Sequence, residues 1–301
     1  MDSKTLQSNL VLLLAAIIWG LAIVAQRVGA QYIGAFTFNG LRFALGSLSL
    51  LPFIYLSNKK KKSDITKSYN ASEIKEAFLA GIGPGTVLFF ASSFQQIGLA
   101  YTSAGKAAFI TGLYILIVPL LGMLFKQRVG LNTWFGAVLA VVGLYYLTSV
   151  GNFSISKGDF LELIGSFFWA LHILLIGYFS KKTDPLMLSV FQFAICALLS
   201  LITALLLETV SVSILKLAII PILYGGICSV GIAYTLQVIG QKHAPSSHAA
   251  IILSMEVVIG AFGGWLILHE NLGTQGVIGG ILMFSGMLLS QLPGYKKPKA
   301  N

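Results

Sequence analysis

Ten long apolar stretches divide the chain, approximately 9–28, 34–57, 74–100, 103–124, 130–149, 158–180, 185–207, 213–241, 246–268 and 273–292. The breaks between them are short and carry Gly, Pro, Lys, Ser or Asn, residues that punctuate regular structure. Each stretch reaches the roughly 20 residues that a helix needs to cross a bilayer. They are too long for buried strands, and the strict alternation over about 10 residues that marks an outer-membrane strand is absent. Lipid offers backbone N–H and C=O groups no partner, so the stretches are predicted to be helices. The expected fold class is an all-α membrane protein with ten transmembrane helices.

Composition sharpens this picture. The 301 residues are 56% hydrophobic and only 10% charged, against roughly 45–50% and 25% in soluble domains. An ordinary soluble enzyme, a disordered chain and a disulfide scaffold are excluded. Ten spans leave only about 100 residues for loops and tails, too few for a soluble catalytic domain. Cys196 and Cys228 both lie in apolar runs and read as buried, reduced residues.

The charge, +10 overall, is distributed as in an oriented membrane protein rather than a nucleic-acid binder. With the N-terminus inside, 15 of the 20 Lys and Arg fall on the inner side. Arg27, Lys157 and Lys216 fall outside, and Arg42 and Lys106 lie within spans. Both termini are therefore expected in the cytoplasm, with the chain multi-pass in the cell membrane. The Lys59–Lys62 run reads as a topology anchor, or as a contact for anionic lipid. The first apolar run is read as a retained span and not as a cleaved leader, because it has a partner later in the chain.

That partner belongs to an internal duplication. At an offset of 150, Trp19 meets Trp169 and Arg42-Phe43 meets Gln192-Phe193. At 142, Gly98 meets Gly240, Lys106 meets His248, Ala107-Ala108 meets Ala249-Ala250, and Tyr114 meets Glu256. At 143, Gly136 meets Gly279 and Gly143 meets Gly286. The units are predicted as residues 1–150 and 151–301. Five helices is an odd number, so the second copy enters the membrane from the opposite side. Two inverted five-helix repeats are a hallmark of secondary transporters.

Several residues in this frame resemble the EamA family of the drug/metabolite transporter superfamily. They are Trp19-Gly20, Arg42-Phe43, the run Thr102-Ser103-Ala104-Gly105-Lys106-Ala107-Ala108-Phe109, Val118-Pro119, Ser254-Met255-Glu256-Val257-Val258 and Leu268-His269-Glu270. The resemblance covers about residues 9–292. It implies a ten-helix transporter of small metabolites or drugs, usually an exporter. It also implies that the first, third, fourth, sixth, eighth and ninth spans enclose the site while the other four form a frame. Where many relatives carry Gly-Glu after the fourth span, this chain has Lys126-Gln127-Arg128. Where many carry Pro after the ninth-span Glu, it has Val257, which predicts a straighter ninth helix.

Ionisable groups inside lipid cost several kcal/mol and mark cavities or partners. Glu256 lies near the midplane of the ninth span and reads as the only carboxylate so deep, either a substrate or proton site or a structural salt bridge. Lys106 can snorkel outward or reach inward. Arg42 reads as a structural ion pair or carbonyl clamp. His248 and His172 are helix-packing residues or gating groups. Trp19 and Trp169, related by the repeat near the midplane, can line a cavity and stack on a flat or cationic substrate, or pack in the core. Tyr114 joins them as the repeat mate of Glu256. Trp134 and Trp265 look interfacial. Pro84, Pro119 and Pro221, flanked by glycines in the third and eighth spans, can bend helices for gating or packing. The glycines at 276–280 allow close helix contact within the bundle or between protomers; a monomer is expected, a dimer being the alternative.

No motif calls for a cofactor or metal, and the expected partners are a small-molecule substrate and the lipid bilayer, not nucleic acid. The readings that compete with a transporter are a receptor or scaffold, which has no need of alternating symmetry, and an intramembrane enzyme, which needs clustered carboxylates.

Overall fold

The computed structural model describes residues 3–63, 69–102, 104–124, 126–127, 129–148, 156–209, 212–268 and 273–292. Their regular structure is entirely helical. The first half comprises α1 (Ser3–Gly29), α2 (Ala35–Ser63), α3 (Ala71–Gly98), α4 (Ala104–Gly112), α5 (Tyr114–Leu124) and α6 (Leu131–Thr148). The second comprises α7 (Lys157–Phe179), α8 (Pro185–Leu207), α9 (Val212–Leu217), α10 (Ile219–Leu223), a π-helical segment (Tyr224–Tyr234), α11 (Thr235–Gln241), α12 (Ser246–Leu253), α13 (Met255–Leu268) and α14 (Gly273–Ser290). Among the described residues, eight helical stretches are long and apolar enough to cross a membrane, and Ser246–Phe262 is a shorter apolar one.

Local chemistry sets the helix starts. Asn70 caps α3 and Ser156 caps α7, each in a reciprocal box with an acidic residue three positions on, Glu73 and Asp159. Asp184 caps α8, and Pro185 occupies the first helical position, where its missing N–H is harmless. Glu208, at the far end of α8, accepts the backbone N–H groups of Phe36 and Thr37 at 2.9 and 2.8 Å and so caps α2 from a distant part of the chain. Lys126 closes α5 with φ +59°, the left-handed position that favours glycine, while Gln127 N–H donates back to Gly122.

Two expected spans are interrupted. The fourth breaks at Leu113 between α4 and α5, and the ninth breaks at Ser254 between α12 and α13. The breaks are equivalent to within one residue under the alignment that pairs Tyr114 with Glu256. At each, the backbone tightens to a three-residue hydrogen bond, Leu116 N–H to Leu113 O at 3.0 Å and Val257 N–H to Ser254 O at 3.1 Å. The expectation of a straighter ninth helix is thus corrected: the break precedes Val257 and does not need a proline. In the eighth span, Pro221 lies in α10 and Gly225-Gly226 open the π-helical segment. By contrast, α3 continues unbroken through Pro84 and α5 through Pro119.

Close approaches at glycine hold the bundle together. A Cβ at Gly136 would lie 2.6 Å from the Gly286 carbonyl oxygen, and one at Gly143 would lie 2.6 Å from that of Gly279. α6 and α14 therefore run antiparallel, backbone against backbone. α2 and α8 are also antiparallel neighbours, joined by Ser47 Oγ to Val190 O at 3.0 Å and by Glu208 at one end. α3 packs on α7 and α8, and the π-helical segment packs on α1 and α2. α7 further contacts α4 and α5, while α1 contacts α12 and α13. Leu48, Phe53, Leu124, Phe135, Leu205 and Ile220 point outward, as expected of a lipid-facing surface.

Candidate substrate cavity

A cavity of about 930 Å³, counting its open mouth, lies between the two halves. Its lining comes from α1 (Trp19, Gln26), α3 (Gln95, Leu99), α4 and α5 (Ala107, Ala108, Thr111, Tyr114), α7 (Trp169, Ile173), the π-helical segment with α11 (Ser229, Tyr234, Gln237), and α12 with α13 (Leu253, Glu256, Val257). None of these lining residues belongs to α2, α6, α8 or α14. The cavity extends from the helix ends bearing Gln26, Leu99 and Ala107 down to Gln237. At Gln237 amide hydrogen bonds tie α11 to α7. Gln237 donates to Gln241 at 2.9 Å, and Gln241 donates to the Ile173 carbonyl at 2.8 Å.

One wall is aromatic. Tyr234, on the π-helical segment, meets Trp19 edge-on at 4.5 Å and stacks with Trp169 at 6.2 Å. Phe43 and Phe193 close the cluster from behind, at 5.9 and 6.0 Å from Tyr234. Trp19 Nε1 donates to the Ser229 carbonyl at 3.2 Å, which fixes the indole against the π-helical segment. Such segments free or redirect backbone groups and often accompany functional sites.

Facing this wall are Tyr114 and Glu256, which flank the two helix breaks. Gly20, next to Trp19, brings α1 onto the Glu256 backbone, since a Cβ there would lie 2.7 Å from the Glu256 carbonyl oxygen. Among the described residues no side chain hydrogen-bonds the Glu256 carboxylate, which leaves it directed at the cavity contents.

Four residues singled out from sequence, Trp19, Tyr114, Trp169 and Glu256, thus border one space. Lys106 belongs to α4, but its side chain falls outside the described residues, as does that of Trp265. The remaining candidates lie elsewhere. Arg42 is 1% exposed; its Nε donates to Asn39 at 3.0 Å and its guanidinium lies 4.9 Å from the Phe43 ring centroid. Among the described residues it meets an amide oxygen and aromatic faces, which suit a planar, weakly hydrated cation. His172 sits behind the aromatic wall, bonded to Gln192 at 2.9 Å. His248 ties α12 to α6 through Thr133 at 2.9 Å.

Sequence reasoning missed Gln95, Thr111, Tyr234 and Gln237, whose polarity is too modest to stand out in an apolar helix. It also missed a second deep carboxylate. Glu162 on α7 is 0% exposed and accepts the Thr111 hydroxyl at 2.8 Å, so Glu256 is not alone.

The EamA-like transporter family model matches the chain twice, over residues 6–149 and 156–292. The chain belongs to the EamA-like transporter family. Among the relatives of this family member, a protein of Archaeoglobus fulgidus described as an uncharacterized transporter is 29% identical over 96% of this chain and 87% of its own length. The uncharacterized transporter YoaV of Bacillus subtilis is 23% identical over 91% and 93%. The WAT1-related protein At1g01070 of Arabidopsis thaliana is 23% identical over 87% and 78%. A solved crystal structure, 17% identical, superposes with a TM-score of 0.74 over 94% of this chain and 96% of that one, a likeness of fold. This EamA-like transporter family member is a multi-pass membrane protein.

Proposed function

We propose that the protein is a secondary active transporter that exports a small metabolite or drug across the cytoplasmic membrane by alternating access, with both termini in the cytoplasm. The observation that carries this reading is the position of the cavity. It lies between the halves and is lined by three spans of each, with the two broken spans packed on one another opposite its aromatic wall. Broken helices at the midplane are where secondary transporters place their sites.

We read the halves as inverted five-helix repeats. The two family matches fall on separate halves. Two pairs of equivalent spans, α2 with α8 and α6 with α14, run in opposite directions, as inversion requires. The neighbours exchange correctly as well: α3 on α7 and α8 mirrors the π-helical segment on α1 and α2, and α7 on α4 and α5 mirrors α1 on α12 and α13. Such halves can adopt each other's conformations, moving the opening from one face to the other. The present cavity reaches the end bearing Leu99 and Ala107, which the charge distribution puts outside.

Trp19, Trp169 and Tyr114 supply flat apolar surface, while Glu256, with Lys106, supplies charge to orient the substrate. The test compares extracts and medium of cells expressing the wild type or Glu256→Gln by untargeted mass spectrometry. At least one compound is expected to move from cells to medium with the wild type and to do so at least several-fold less with the variant. Identical profiles would count against the reading. Reporter fusions after residues 65 and 301 should both read cytoplasmic, and an external reading at either would remove the basis for inversion.

A further inference from the structure

The Glu162 carboxyl group has no part in the substrate reading above. It lies on α7, six residues into the helix, fully buried against α3 and α4. Its Oε2 accepts the hydroxyl of Thr111 at 2.8 Å, while its Oε1 has no hydrogen-bond partner. A Cβ on Gly98 would lie 2.8 Å from Oε1, so α3 meets the carboxyl group with bare backbone. Thr111 itself lines the cavity. One hydroxyl therefore separates a sealed carboxyl group from the substrate space.

The charged groups around it are few. On its own helix Asp159 lies one turn earlier, and Lys157 is drawn to the Tyr101 ring at 5.2 Å. On α3 the nearest polar side chain facing the cavity is the neutral Gln95. α4 carries Lys106, whose side chain falls outside the described residues. From α13, Glu256 borders the same cavity as Thr111. Among the described residues no cation pairs with Glu162. A carboxylate with one donor, a second acid one turn away and, among the described residues, no cation costs several kcal/mol to keep charged; the neutral acid avoids that cost.

We propose that Glu162 is a proton-binding site of the transport cycle. It is loaded as the neutral acid while α7 is packed on α3 and α4, as here. It empties through the Thr111 gap when α4 moves away and cavity water reaches it. In that step the bond from Oε1 to hydrogen breaks, the proton passes to water, and the electron pair stays on the carboxylate. Reloading reverses the step. The site rests on the transporter reading and makes the proton its coupling ion. A ligand bound in one conformer and released in another is what links a gradient to a conformational cycle. The equivalent position in the other half is Leu12, which lies against Gly240, the mate of Gly98, so the two conformers of the halves differ in proton affinity.

Infrared difference spectra between acidic and alkaline buffer test this on the full-length protein in lipid nanodiscs, with the proton itself as the probe. One component of the carbonyl stretch of neutral carboxylic acids, set apart from that of the exposed acids by its frequency and titration, should appear in the wild type and in Glu256→Gln, and should be missing from Glu162→Gln. A Glu162→Gln spectrum that keeps every wild-type component, or a component already missing from Glu256→Gln, overturns the proposal. Should Glu162→Gln fail to fold, Thr111→Val replaces it: losing the donated hydrogen bond should shift the band to higher frequency, and an unmoved band overturns the proposal. The spectra require no substrate movement, so a failure to transport would sink the parent reading while the infrared result still decided the proton site.

Discussion

At the corner where α7 meets the end of α3, Glu162 lies over Gly98; at the corner where α1 meets the end of α11, Leu12 lies over Gly240. The approaches match. A Cβ would stand 2.8 Å from the Glu162 carboxyl group at one glycine and 2.7 Å from Leu12 Cγ at the other. The surroundings differ. Around Glu162, Asp159 receives the Thr102 hydroxyl at 2.5 Å, and Thr111 bonds Glu162. On the helices at Leu12 the polar ties include Asn9 to Gln291 and Gln237 to Gln241, both at 2.9 Å, and neither involves a charge. The backbone approach is alike at both corners, and of the two side chains that lie over the glycines only Glu162 can hold or release a proton. Backbone geometry and chemistry vary independently between the two corners.

The strongest way to break this contrast is Leu12→Glu. It buries a carboxylate in the apolar cluster that holds Leu12, and the expected cost is about 3–5 kcal/mol, read as a large fall in the thermal unfolding midpoint of the purified protein in detergent. A wild-type midpoint would mean that the two corners are chemically interchangeable. Next come the glycines. Gly240→Ala should destabilise by about 1–3 kcal/mol, because its Cβ meets Leu12 and also the Ser8 carbonyl oxygen at 3.1 Å. Gly98→Ala should cost less, because the three atoms nearest its Cβ all belong to the Glu162 side chain and none to backbone. The reverse order of midpoints would contradict the assigned packing. Thr111→Val removes one donor and should cost about 1 kcal/mol. The smallest effect is expected from Glu162→Leu, which makes the corners alike. Exchanging a buried acid for an apolar residue of similar size should leave stability within about 1 kcal/mol of the wild type, and a collapse of the midpoint would show that the carboxyl group is structural.

These contrasts were unequally legible in the amino-acid sequence. Trp19, Trp169, Tyr114 and Glu256 stood out because aromatic and ionisable side chains at mid-span have few places to go, and the repeat tied them together. Gly98 and Gly240 were paired by the same alignment. Glu162 was passed over because it lies within two turns of a helix start, where an acidic residue reads as part of the polar end; only the docking of α3 and α4 over that end buries it. Tyr234 owes its central place to the π-helical segment. Pro221 and Gly225-Gly226 announced a bend there, but not which side chain the altered backbone would aim inward. The breaks at Leu113 and Ser254 carry no proline at the break itself, so the signal that most readily announces a helix break is missing from both.

The central claim, that one water-accessible space between the halves is the transport path, is tested most directly by substituted cysteines. In a background with Cys196 and Cys228 replaced, Trp19→Cys, Lys106→Cys, Tyr114→Cys, Trp169→Cys and Glu256→Cys are treated one by one with a small water-soluble thiol reagent. Ala140→Cys, on the buried face of α6, serves as the packed control. All five substituted positions are expected to react while the control stays inert. Inertness at all five, with loop cysteines labelled by the same reagent, would contradict the account.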